Sequence, residues 1–166
     1  MTSIQPTDGA GADERDVEML AYARRLQAAV DESLGDEALL DRVTSFAGGV
    51  DGLLRFLADG MARAFDPGRA CGETGLVQFA IDVGERTIEL WLRIDADGCR
   101  SIEDGRDPDA IIAISLAVFL RIAFKRISGA DAYVDGLVRA SGDVVLATTL
   151  DDWFNPPDLA IASVIR

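Results

Sequence analysis

The chain has 166 residues, enough for one domain with a short extension, and at that length about 70% of the unfolded surface is buried without help from a metal or disulfide. Its formal net charge is −13, from 16 basic and 29 acidic residues, a balance repelled by phosphate backbones and anionic leaflets, so nucleic acid is excluded as a partner. Histidine is absent, which removes Ser/His/Asp and Cys/His nucleophilic designs and most transition-metal sites.

Hydrophobic residues make up 49% of the chain, a surplus that requires a large core, a partner surface or a ligand chamber. Residues 1–12 are small and polar, broken by Pro6, Gly9 and Gly11, and are expected to be disordered and to hold no secretory signal. Asp13 or Asp16 is positioned to cap a helix carrying Met19, Leu20, Ala23, Leu26, Val30 and Leu34, which Gly35 stops. A second helix follows from Asp36, with Leu39, Leu40, Val43 and Phe46, and ends at Gly48-Gly49. A third, Val50 to Phe65, places Val50, Leu53, Leu54, Leu57, Met61 and Phe65 on one stripe before Asp66-Pro67-Gly68 breaks it.

From residue 74 the period changes from 3.6 to 2. Val77, Phe79, Ile81 and Val83 alternate with polar or small residues, Gly84-Glu85 supplies a hairpin turn, and Ile88, Leu90, Leu92 and Ile94 return along one face. Asp97-Gly98 leads into a third strand over Cys99–Glu103, and Asp107-Pro108 into a fourth over Ala110–Ile114. The next segment, Ser115–Arg126, reads as a helix whose only polar members are Ser115, Arg121, Lys125 and Arg126, and such a helix must be covered on several sides. Gly129 and Gly136 bracket a short helix, Leu137–Ser141 is a fifth strand, Val144–Leu150 is a short helix or strand, and Trp153-Phe154 precedes a Pro156-Pro157 stop. The order is that of an α+β fold: a mostly antiparallel, meandering sheet with helices on one face.

Little in the chain suggests bond chemistry. Asp95-Ala96-Asp97-Gly98 departs from a calcium loop in the position of its glycine, and Asp104, Asp107 and Asp109 read as turn and cap residues. Cys71 and Cys99 match no metal-binding spacing and read as thiols of a reducing, cytoplasmic compartment. The greasiest stretch, Ala110–Phe124, is short and contains Arg121, so no stable membrane insertion is expected. Catalytic residues, metal ligands and cofactors are therefore expected to be absent. Arg121, Lys125 and Arg126 form the one basic cluster, placed to complement the helix dipole or to meet an anionic head group.

The stretch Asp109–Leu150, with Gly129-Ala130-Asp131-Ala132-Tyr133 and Asp135-Gly136-Leu137-Val138-Arg139-Ala140-Ser141-Gly142-Asp143 inside it, resembles the sterol carrier protein 2 (SCP2) domain family. The hairpin Leu76–Asp95 stands in the place of that family's first two strands and Val50–Phe65 in that of its leading helix, so the resemblance runs from about Val50 to Phe154. It implies an SCP2-like five-stranded sheet, helices packed on one face, and an apolar cavity between that binds, sequesters or transfers lipids, acyl chains or other hydrophobic small molecules. The segments so assigned are a disordered 1–12, a helical extension over 13–48, the lipid-binding domain over 49–155 and a tail over 156–166. Expected lining residues are Leu116, Phe119, Leu120, Ala123, Phe124, Tyr133, Val134, Leu146, Leu150, Trp153 and Phe154. Two further readings fit the same pattern: a cofactor-free cyclase or isomerase orienting a hydrophobic intermediate, and a non-catalytic homodimer module with the apolar helix as its seam.

Overall fold

A computed structural model of the chain describes residues 21, 23–32, 36–43 and 49–155; the expected disordered start, the cap at Asp13 or Asp16, the Gly35 and Gly48 stops and the tail from Pro156 lie outside them. Helical residues 23–31 form α1, followed by α2 (Asp36–Val43) and α3 (Gly49–Ala64). A short α4 (Pro67–Ala70) is capped by the Asp66 carboxylate, which accepts the Gly68 N–H. The strands are β1 (Gly75–Asp82), β2 (Thr87–Asp95), β3 (Gly98–Ile102), β4 (Ala110–Ser115) and β5 (Val138–Gly142). Between β4 and β5 lie α5 (Leu116–Ala123) and α6 (Gly129–Val134), and α7 (Val144–Thr149) runs into a 3-10 turn over Leu150–Trp153.

The sheet order is β3-β2-β1-β4-β5. Three of its four pairings are antiparallel, but β4 does not continue the meander: it crosses to the far side of β1 and pairs with it in parallel, Val77 opposite Ala110 and Phe79 opposite Ile112. Two contacts fix the crossover. Its Gly105 lies so close to the Trp91 indole of β2 that a Cβ would come within 2.0 Å of the ring. At its end, Asp109 accepts the Leu76 N–H through its carboxylate at 2.8 Å, donates its own N–H to the Leu76 carbonyl at 2.8 Å, and accepts the Asp143 N–H on its carbonyl at 2.7 Å. Period-2 patterning gives each strand its faces but not its neighbours, so this residue, read from sequence as a turn or cap, proves to clip the starts of β1 and α7 to β4.

One face of the sheet is continuously apolar. Register sets Val77, Phe79 and Ile81 of β1 opposite Leu92, Leu90 and Ile88 of β2, with Ile112 and Ile114 of β4 beside them. Helix α3 packs against β2 and β3, α5 against β1 and β4, and α7 against β4 and β5. The N-terminal helices share this core: Leu26, Ala29 and Val30 of α1 and Leu39 of α2 are buried in it, and α2 rests on α3 and α5. No polar or charged residue is buried among the described residues.

Helix α5 is shorter than its apolar run suggested. The Ser115 hydroxyl caps it from outside by accepting the Val118 N–H. At the other end Lys125 adopts φ 60°, and the Lys125 and Arg126 N–H groups return to the carbonyls of Ile122 and Arg121 at 3.0 and 2.7 Å. This is the two-bond closure usually built on a glycine. With lysine in that position the sequence carries no visible stop, and the turn is held by tertiary contacts described below.

Candidate ligand-binding cavity

Helix α3 carries two adjacent apolar stripes. Leu53, Leu54 and Ala58 are fully buried against the sheet. Leu57, Gly60, Met61 and Ala64, at helical i, i+3, i+4 and i+7 spacing, are only half-buried and face an open space. That space is a partly open cavity of about 110 Å³. Its floor is the apolar face of the sheet: Phe79, Ile112, Ile114, Val138 and Ala140. Phe119, Ile122, Ala123 and Phe124 from α5 and its end close one side, and Gly129 and Tyr133 of α6 with Ala147, Leu150 and Phe154 close another.

Two ring contacts brace the walls. Phe79 and Phe119 meet edge-on at 5.7 Å between centroids, and Phe65 meets Phe154 at 5.6 Å. The second pair ties the end of α3 to the chain beyond the 3-10 turn, where residues 65 and 154 also form a β-bridge and the Asn155 N–H reaches the Ala64 carbonyl at 2.8 Å. The void persists because several lining positions carry little side chain: Gly60, Ala64, Ala123, Gly129, Ala140 and Ala147. Walls of this kind keep a cavity dry and favourable to an apolar guest.

Polar residues enter the lining chiefly from the α5–α6 linker and the chain around the 3-10 turn. Lys125 Nζ donates to the Asp151 carbonyl, the Asp151 carboxylate accepts the Gly129 N–H at 2.9 Å, and the Thr148 hydroxyl donates to the Val144 carbonyl at 2.9 Å. Lys125 and Asp151 thus join the α5–α6 linker to the 3-10 turn. Asp151 is the one carboxylate among the lining residues, and it already accepts a main-chain bond.

Of the residues expected to line the chamber, Phe119, Ala123, Phe124, Tyr133, Leu150 and Phe154 do so. Leu116 and Leu120 are instead fully buried inside the core, Leu146 and Trp153 are buried behind the walls, and Val134 stands 81% exposed outside it. A helix apolar all round has to spend some of its residues on the sheet, and Leu116 and Leu120 are those. In the basic cluster, only Lys125 reaches the cavity. Arg126 turns outward to pair with Asp31 of α1, Nη2 to Oδ2 at 3.0 Å, which raises its pKa through that hydrogen bond, and Arg121 does not line the space. The α3 and sheet residues were missed, although the small residues interrupting the α3 stripe were a readable signal. Cys99 offers no reactive thiol: burial, and then the charge of Asp95, push its pKa up to about 12.

The model of the SCP-2 sterol transfer family matches residues 73–155, half of the chain. The chain belongs to that family. Membership supports lipid binding or transfer as its general activity, and the mixed α+β sheet is the family's fold. No curated protein matches the chain in sequence. Among solved structures it is similar to palmitated SCP2L2 from Aedes aegypti, with 21% identity over 62% of this chain and 91% of that one and a TM-score of 0.49. Apo sterol carrier protein 2 from Yarrowia lipolytica shares 14% identity over 60% of this chain and 84% of that one, at a TM-score of 0.44. The inverting sec-alkylsulfatase Pisa1 from Pseudomonas sp. is matched over 95% of this chain but 34% of that one, with 12% identity and a TM-score of 0.50, a likeness that speaks to the fold alone. Among the described residues, no helix of this family member is long and apolar enough to cross a membrane.

Proposed function

We propose that this SCP2-family chain is a cytoplasmic carrier that holds an apolar small molecule in the cavity between its sheet and helices and releases it unchanged. The observation that carries this reading is the half-buried face of α3, where Leu57, Gly60, Met61 and Ala64 look across open space at Phe79 and Ile112. An apolar surface of this kind gains about 0.8 kcal/mol for each guest CH₂ it removes from water, so affinity rises with the apolar length of the guest once the cost of association is met. Phe119, Ala123, Phe124, Tyr133, Leu150 and Phe154 form the contact set, and Lys125 at the polar edge is the cation that an anionic head group would meet. The ligand-binding unit spans 49–155, with 13–48 as a helical extension whose described residues complete the core. The free thiols Cys71 and Cys99 accord with a reducing compartment.

Native mass spectrometry of the gently purified chain, followed by solvent extraction, tests this. The carrier reading predicts a co-purifying hydrophobic molecule at one per chain, recovered chemically intact and rebound by the stripped protein. A stripped chain that takes up no lipid and runs as a dimer sealed through α5 would replace it with the interaction module. Conversion of the bound molecule on incubation would replace it with the cyclase or isomerase.

A further inference from the structure

Among the described residues, four glycines are small because something presses on them. A Cβ at Gly75 would strike Leu146 at 2.9 Å, at Gly105 the Trp91 ring at 2.0 Å, at Gly129 the Asp151 carboxylate at 2.7 Å, and at Gly142 the Asp109 carbonyl at 2.4 Å. Gly60 is different. It lies inside the sixteen-residue α3, in ordinary helical conformation, and a Cβ there would meet no atom within 4 Å. Neither the backbone nor the packing requires glycine at this position, and glycine weakens a helix interior relative to alanine. Gly60 also faces the cavity, one turn from Ala64 and beside Met61.

We propose that Gly60 is the specificity-determining position of the chamber: the side chain it lacks leaves room for a branched or ring-bearing part of the guest, which a slender chain does not need. This rests on the carrier reading and names the class of ligand within it. Helix α3 offers the guest a notch one side chain deep, with Met61 as its flexible wall. A methyl in the notch meets no other atom within 4 Å, so it narrows the chamber without pressing on the protein, and bulky guests are lost before slender ones.

Two fluorescent probes separate these classes: a linear conjugated tetraene fatty acid and a pyrene-terminated fatty acid of similar length. Both are titrated into the stripped natural chain, Gly60→Ala and Gly60→Leu, with thermal unfolding of each variant measured alongside. The expected result is a stepwise loss of pyrene-probe affinity, severalfold for alanine and roughly tenfold or more for leucine, with the tetraene probe changing by less than about threefold. Should leucine fail to fold, alanine alone still decides the direction. Equal loss of both probes, or loss of neither, overturns the assignment of Gly60 while leaving the carrier reading in place. A natural chain that binds neither probe overturns both.

Discussion

Helix α3 has two halves of similar greasiness and opposite fates. Toward its start, Leu53 and Leu54 pack against the sheet with no residual exposure of consequence. Toward its end, Leu57, Gly60, Met61 and Ala64 remain half-buried across a void. Apolar composition therefore does not distinguish core from chamber. Side-chain volume at the facing positions does, because a close-packed interior leaves no gap larger than a water where each position carries a full-sized residue. The first half is also clamped from outside: Asp51 pairs with Arg86 at the tip of the β1–β2 hairpin, at 2.6 Å.

Truncation should expose this difference most strongly. Leu54→Ala removes fully packed atoms and is expected to cost about 2–5 kcal/mol, whereas Met61→Ala, already bordering a void, should cost roughly 1 kcal/mol or less. Denaturant unfolding midpoints at unchanged slope would check the pair, and equal losses would mean that the two halves are packed alike. A smaller effect is expected where the crossover loop closes on the other face of the sheet. Gly105→Ala drives a methyl into the Trp91 indole and should cost about 1–3 kcal/mol, with indole emission moving to longer wavelength as the loop lifts away.

The smallest effect concerns the clamp on the first half. The Arg86 hydrogen bond lowers the Asp51 pKa below its ordinary 3.8, so the folded state holds its proton less tightly than the unfolded state. The stabilisation is present above that value and fades as pH falls through the lowered one. Both side chains are largely exposed, so the contribution is small and salt should erase it. Acid titrations of Asp51→Asn and the natural chain should converge as pH falls below the lowered Asp51 pKa, and should also converge at molar salt.

Much of the fold was legible in the sequence because it is written in local periodicity. The hairpin Leu76–Asp95 and the amphipathic α3 follow from alternation and helical spacing, and the glycine stop at Gly136 marks a turn that the structure builds at positive φ. What was not legible depends on partners distant in sequence. The parallel return of β4 beside β1 rests on Asp109 and on Gly105 against Trp91, contacts that no single segment announces. The end of α5 at a left-handed Lys125 depends on Lys125 reaching the Asp151 carbonyl and Arg126 reaching Asp31.

The chamber was half legible for the same reason. The apolar α5 pointed to it and supplied Phe119, Ala123 and Phe124, but which of its faces turns inward is decided by the sheet, so Leu116 and Leu120 went to the core. The opposite wall was hidden in what α3 lacks. Gly60 and Ala64 read as gaps in an amphipathic stripe, and only the fold shows that the gap is occupied by space.

The most direct measurement is a methyl-resolved NMR titration of the stripped chain with a medium-chain fatty acid, following Leu53, Leu54, Leu57 and Met61 of α3 together. The account predicts large shifts and intermolecular contacts at Met61 and Leu57, with Leu53 and Leu54 nearly still. Shifts spread evenly along the helix, or none at any of the four, would contradict a guest-filled chamber under its second half.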